Sequence, residues 1–110
     1  MDCLFCKIVS GDIPADVVFD GERTLAFRDI APKAPVHILV VPKVHYPDAA
    51  TVAAADPALV GELITTAGQV AADQGVSEGG YRMIFNTGAD GGQTVFHAHL
   101  HLLAGTKLPW

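Results

Sequence analysis

Residues 96–103 read FHAHLHLL, with a histidine at every second position. Successive side chains of a β-strand point to opposite faces. As a strand, this stretch therefore has two unlike sides. Ala98, Leu100 and Leu102 form an apolar side that belongs against a core. His97, His99 and His101 form the other, which must look into something polar. The chain has five histidines in all. Three adjacent imidazoles would repel one another if all were charged, so an ordinary solvated face is a poor reading of the pattern.

The flanking sequence supplies more strands. ADVVFD (15–20) and TLAFRD (24–29) read as a hairpin turning at Asp20-Gly21. IAPKAP (30–35) is a loop held open by two prolines. VHILVVP (36–42) is a strongly apolar strand that carries His37, with Pro42 at an edge or exit. YRMIFNT (81–87) is a further strand, and the glycine-rich loop GADGGQ (88–93) leads into the histidine strand. Residues 3–10 form a short helix ended by Gly11 and Pro14. Residues 57–74 form a longer one, capped by Asp56, opened by Pro57 and ended by Gly75. Val60, Leu63, Ile64, Ala67 and Ala71 recur at helical spacing and predict its buried stripe. Hairpin-like strands beside a separate long helix predict an α+β fold with an antiparallel sheet.

At 110 residues, with half of them hydrophobic and 17% charged, the chain reads as one compact domain, 1–110. The net charge of −5 and the lack of a basic stripe argue against nucleic acid as a partner. They leave room for a small anion in a local pocket. The apolar runs are too short to span a bilayer. The first residues lack a signal peptide's basic and apolar regions. The expectation is a cytoplasmic protein with no membrane association, in a compartment where thiols stay reduced. There Cys3 and Cys6, a C-x-x-C pair, read as half a zinc site, a redox motif or two plain thiols.

Two chemistries suit the histidine face. One is a three-histidine zinc site whose open position activates water. The other is a phosphate site, with one imidazole as nucleophile and its neighbours as donors to phosphate oxygens. The loop favours the second. Gly88, Gly91 and Gly92 allow close backbone approach and aim N–H groups at an anion, while Gln93 and Thr94 add side-chain donors. No carboxylate lies near the triad in sequence, so a backbone carbonyl is expected to fix the tautomer of His99.

The stretch DGGQTVFHAHLHLL resembles the signature of the histidine-triad (HIT) superfamily, and its Gly-Gly-Gln resembles that of the Hint branch of nucleotide-binding phosphoramidases. FCKIVSGDIPADVVFD, TLAFRDIAPKAPVHILVVPKVH and YRMIFNTGADGGQ are similar to the corresponding Hint segments. The resemblance covers nearly the whole chain. It implies a sheet of about five antiparallel strands, with a short N-terminal helix and one longer helix, in a homodimer that joins sheets. It implies a purine nucleotide or nucleoside phosphoramidate as substrate and no organic cofactor. His99 would attack the α-phosphate to give a nucleotidyl-histidine, which water then hydrolyses. His101 and His37 would line the phosphate site. Gly92, Gln93 and Thr94 would contact phosphate, with Thr94 standing where serine is common and able to protonate the leaving group. Asn86 would lie close to the nucleotide and Asp29 would bind ribose hydroxyls. Phe5, Ile8, Phe27 and Ile30 would form the purine pocket.

The same resemblance implies a structural zinc held by Cys3, Cys6, His45 and His97, a closed tetrahedral set with no open position. Hint proteins usually continue past a tryptophan that here is Trp110, which bears on substrate selectivity. Competing readings are a dinucleoside polyphosphate hydrolase, as in the Fhit-like branch, and a non-enzymatic nucleotide-binding interaction module. The three-histidine zinc hydrolase is a more distant alternative.

Overall fold

The computed structural model describes residues 3–109; the tail reading at Trp110 lies outside them. In chain order the elements are α1 (Leu4–Ser10), β1 (Val17–Asp20), β2 (Thr24–Arg28), β3 (Val36–Pro42), α2 (Ala49–Ala55), α3 (Pro57–Asp73), β4 (Tyr81–Phe85) and β5 (Leu100–Ala104). The five strands form one antiparallel sheet in the order β1-β2-β3-β5-β4. The fold is α+β, as the strand and helix patterns predict. No helix among the described residues is long and apolar enough to cross a membrane.

Strand alternation splits the apolar residues between the two faces of this sheet. Ala26, Ile38, Val40, Leu100 and Leu102 point to one face and pack against Leu63, Ala67, Val70 and Ala71 of α3. Leu25, Phe27, Leu39 and Val41 point to the other and pack against Cys3 and Phe5. Burying a large apolar side chain contributes about 1.5–3 kcal/mol, so the two clusters hold the helices to the sheet. The histidine face of β5 belongs to the second side. Register places His101 beside Leu39 on β3 and Ile84 on β4.

Three expectations need correction. The histidine strand starts at Leu100, so only His101 lies within β5; His97 lies in a bend and His99 in the irregular segment that enters the strand. Their polar contacts run to backbone and to other side chains instead of along a sheet ladder. The buried stripe of α3 is Leu59, Leu63, Thr66, Ala67, Val70 and Ala71. Ile64 is 43% exposed. The helix is rotated so that Thr66 faces inward, where its hydroxyl pairs with that of Thr24 at 2.8 Å. Lastly, α2 is an additional helix. It is alanine-rich, and alanine has the highest helix propensity. Asp48 caps it, accepting hydrogen bonds from the Thr51 amide and hydroxyl, both at 2.8 Å.

Candidate active site and metal centre

α1 begins at Cys3, whose sulfur accepts a hydrogen bond from the Cys6 amide at 3.4 Å. The helix ends at Gly11, which adopts the left-handed conformation (φ 86°) that glycine tolerates. This short helix lies against the sheet face that carries the histidines. The Phe5 ring meets His99 edge-on, with centroids 5.1 Å apart, and Phe27 at 5.4 Å.

Beside these rings opens a cavity of about 300 Å³. His99 and His101 form its polar wall together with Asp29, and Phe5, Ile8 and Phe27 its apolar wall. Ile30 stands at the rim and is 99% exposed. Thr94 lies at the loop side of the opening. Ile13 and Pro14 also line it; nothing in their spacing marks them in the sequence. A larger hollow, about 510 Å³, lies between the end of α3 and residues 105–107. It is lined by no imidazole or carboxylate, unlike the smaller cavity.

Hydrogen bonds to the backbone fix the tautomers. His99 Nδ1 lies 2.8 Å from the carbonyl of His97. A carbonyl only accepts, so the proton of neutral His99 sits on Nδ1 and Nε2 carries a free lone pair. His37 has the opposite anchor. Its Nδ1 accepts from the Lys33 amide at 3.1 Å, which puts the proton on Nε2. That proton is donated to His101 Nδ1 at 2.9 Å. His101 must then carry its own proton on Nε2. One imidazole thus offers a lone pair and its neighbour, 4.8 Å away between centroids, offers a donor. The expected carbonyl partner of His99 is found. The Lys33 amide was not legible, because any residue except proline supplies an N–H.

Burial keeps these rings neutral. It lowers the pKa of His99, against the opposing effects of its hydrogen bond to His97 and of Asp29. Burial also lowers His37. His101 falls to about 4, through burial and then the neighbouring His99 and His37. Asp29 Oδ2 stands 3.4 Å from His37 Nε2, and Oδ1 accepts from the Ala31 amide at 2.8 Å.

The 88–93 loop is shaped by its own side chain. Gln93 is buried; its Oε1 accepts from the Gly88 amide, and its Nε2 donates to the carbonyls of Pro47 at 2.6 Å and Val95 at 3.0 Å. With both Nε2 hydrogens so engaged, Gln93 braces the loop in this conformation. Gly91 passes so near Thr87 that a Cβ there would come within 2.5 Å of the Thr87 carbonyl oxygen. Gly92 (φ 90°) faces Asn86, whose Nδ2 would lie 3.8 Å from a Cβ at that position. Asn86 does not line the cavity wall formed by the histidines.

The four predicted metal ligands converge. Sγ of Cys3, Sγ of Cys6 and ring nitrogens of His45 and His97 lie within 4.8 Å of one another. His97 Nδ1 is 3.5 Å from each sulfur and 3.2 Å from His45 Nδ1, and Cys6 Sγ is 3.4 Å from His45 Nδ1. A tetrahedral zinc with bonds of about 2.3 Å to sulfur and about 2.1 Å to nitrogen has edges of about 3.4 Å between nitrogens, about 3.6 Å between nitrogen and sulfur and about 3.8 Å between sulfurs. The separations of 3.2–3.5 Å about His97 and between Cys6 and His45 are close to the edges of that cage. His97 Nε2 donates to the carbonyl of Pro42 at 2.8 Å, which leaves Nδ1 unprotonated and turned to the thiols. This is the orienting hydrogen bond that metal-binding histidines commonly make. His97 is therefore apart from His99 and His101, and the three-histidine metal site has no counterpart in the geometry. Asp29, His37 and His101 are also close enough to be ligands. Their mutual hydrogen bonds already account for that proximity.

Fold and site together define a small sheet protein with a histidine pair at a cavity of about 300 Å³ and a thiol–imidazole cage beside it. Residues 10–108 match the HIT domain family, and the chain belongs to that family. It is 50% identical to an uncharacterised HIT-like protein of Synechococcus elongatus, over 99% of this chain and 95% of that one. It is 43% identical to the purine nucleoside phosphoramidase of Escherichia coli, over 97% of this chain and 90% of the relative. Among solved structures, a histidine triad protein from Clostridium difficile superposes with a TM-score of 0.95 at 46% identity, covering 99% of this chain and 95% of that one. A HIT family hydrolase from Legionella pneumophila gives 0.95 at 48% identity, with coverage of 99% and 97%.

Proposed function

We propose that the protein is a purine nucleotide-binding hydrolase that cleaves the P–N bond of nucleoside phosphoramidates. The observation that carries this reading is the free Nε2 lone pair of His99, fixed by the His97 carbonyl at the wall of the cavity. The relative from Escherichia coli, named a purine nucleoside phosphoramidase, supports the substrate class.

In the first step His99 Nε2 attacks the α-phosphorus and the P–N bond breaks. The departing amine takes a proton, for which the Thr94 hydroxyl is the proposed source. His101 Nε2–H stabilises charge on the phosphate oxygens, as preorganised donors do. In the second step water attacks phosphorus and gives its proton back to the Thr94 oxygen, the bond to His99 breaks, and a nucleoside monophosphate leaves. Phe5, Ile8, Phe27 and Ile30 hold the base, Asp29 accepts from ribose hydroxyls, and Gly92 and Asn86 border the phosphates. Gln93 serves by holding the loop. A structural zinc at Cys3, Cys6, His45 and His97 would tie α1 to the histidine segment.

We further propose a homodimer through β4. This edge strand exposes Tyr81 and Met83, and Ile64 of α3 adds to them one turn before Gly68, beside which the Tyr81 hydroxyl lies. The opposite edge, β1, has four residues and a register shift between Val17 and Phe19. Bulged, short edges resist pairing.

The test is turnover by wild type and His99→Ala of a nucleoside phosphoramidate and, in parallel, a dinucleoside polyphosphate. Loss of the nucleophile should lower phosphoramidate turnover by about 10³-fold or more, with nucleotide binding retained. Near-normal turnover by His99→Ala overturns the mechanism. Preference for the polyphosphate assigns the other hydrolase activity. Nucleotide binding without turnover of either leaves a binding module.

A further inference from the structure

The cage and the nucleophile meet at one peptide unit. The carbonyl of His97 accepts the Nδ1 hydrogen of His99 at 2.8 Å. At the other end of the same unit, the Ala98 amide donates to the carbonyl of Tyr46 at 2.7 Å. Tyr46 follows the cage residue His45. The peptide group is planar, so its C=O and N–H turn as one body. The His97 ring is held at both nitrogens, by the Pro42 carbonyl on one side and by the thiols and His45 on the other. Both His97 and Ala98 are buried.

We propose that a cation in the cage fixes the His97–Ala98 peptide plane, and that this plane keeps the proton of His99 on Nδ1. The inference rests on the reading of His99 as the nucleophile. With the cation bound, His45 and His97 are drawn together, and Tyr46 and the His97 ring hold the plane from both ends. Its carbonyl stays aimed at His99, whose Nε2 keeps its lone pair toward the cavity. Without the cation, His45 Nδ1 and His97 Nδ1, 3.2 Å apart, lose the partner they would share. The loop carrying Tyr46 and the plane it holds are released together. A His99 that carries its proton on Nε2 has no lone pair to attack with. His97 is thus a positioning residue, acting through its backbone. A cation that only stabilised the fold would leave the His99 tautomer unchanged.

Imidazole ¹⁵N NMR at neutral pH reads the tautomer directly. The zinc-loaded protein should show a single His99 tautomer with hydrogen on Nδ1. After chelation, His99 should become a mixture. Single-turnover cleavage should slow by about tenfold or more while KM moves by less than about threefold, and added zinc should restore both. A chelated protein that keeps native near-UV circular dichroism, a single Nδ1–H tautomer and full cleavage overturns the proposal. If chelation unfolds the chain, Cys6→Ser is measured in its place with zinc added; a mixed tautomer supports coupling, and an unchanged one with a full rate overturns it. Should the loaded wild type cleave no phosphoramidate, the functional reading fails by itself, and the tautomer measurement alone decides the coupling.

Discussion

His99 hangs from a carbonyl and His37 from an amide, and these anchors give otherwise similar rings opposite tautomers. The alternation in residues 96–103 makes the cavity imidazoles His99 and His101 legible, but it does not separate them from His97, which turns to the thiols. Their protonation is less legible, because it depends on main-chain groups that every residue type carries. The low pKa values have a consequence for stability. His37 and His101 are lowered in the folded chain, His101 to about 4, from an ordinary value of 6.5. Between those values the unfolded chain binds more protons than the folded one, so stability rises with pH there. The folded form is therefore expected to lose stability as pH falls from about 6.5 towards about 4. Urea midpoints at pH 7 and pH 4.5 check this. Chelated protein is used, so that protons competing for the cage do not contribute. A midpoint that is unchanged or higher at pH 4.5 would contradict the burial argument.

At the scale of elements, signals from period and caps read well where a segment is long or strongly patterned. β3 spans 36–42 as expected, and α3 starts behind Asp56, whose carboxylate accepts from the Leu59 amide. α2 escaped because Val52 is its one buried residue and a run of alanines has no period to detect. Its Asp48 cap is the signal that could have found it. Replacing such a cap by alanine costs about 1 kcal/mol, so Asp48→Ala should lower unfolding stability by roughly that amount in a urea titration. The N-terminal helix depends on a different tie. α1 has seven residues, and isolated helices below about 12 residues are marginal in water. The cage joins it to residues 45 and 97. Ligands so scattered are not preformed in the unfolded chain, so chelation should lower the melting temperature. Differential scanning calorimetry with and without chelator measures it, and equal melting temperatures would mean that no structural metal is held.

For the whole molecule, the resemblance to the triad family carried more than any pattern did. It brought together Cys3, Cys6, His45 and His97, four positions spread over the chain whose convergence no local spacing announces. It also pointed to assembly through sheets. Met83 lies 41% exposed on β4, and a lysine there would place a charge in the proposed contact. Light scattering of the wild type should give the mass of two chains, and Met83→Lys that of one. A wild type with the mass of a single chain would refute the dimer.

The two sheet edges differ, and the difference limits how far association can go. Among the described residues β4 pairs with β5 alone, whereas β1 is short and bulged, and the Val17 amide is turned back on the Ala15 carbonyl. A sheet with two open edges can add copies at both ends and grow into a fibre. One with a single open edge behaves like an atom of valence one. In the proposed assembly it would join one partner, and growth would stop there.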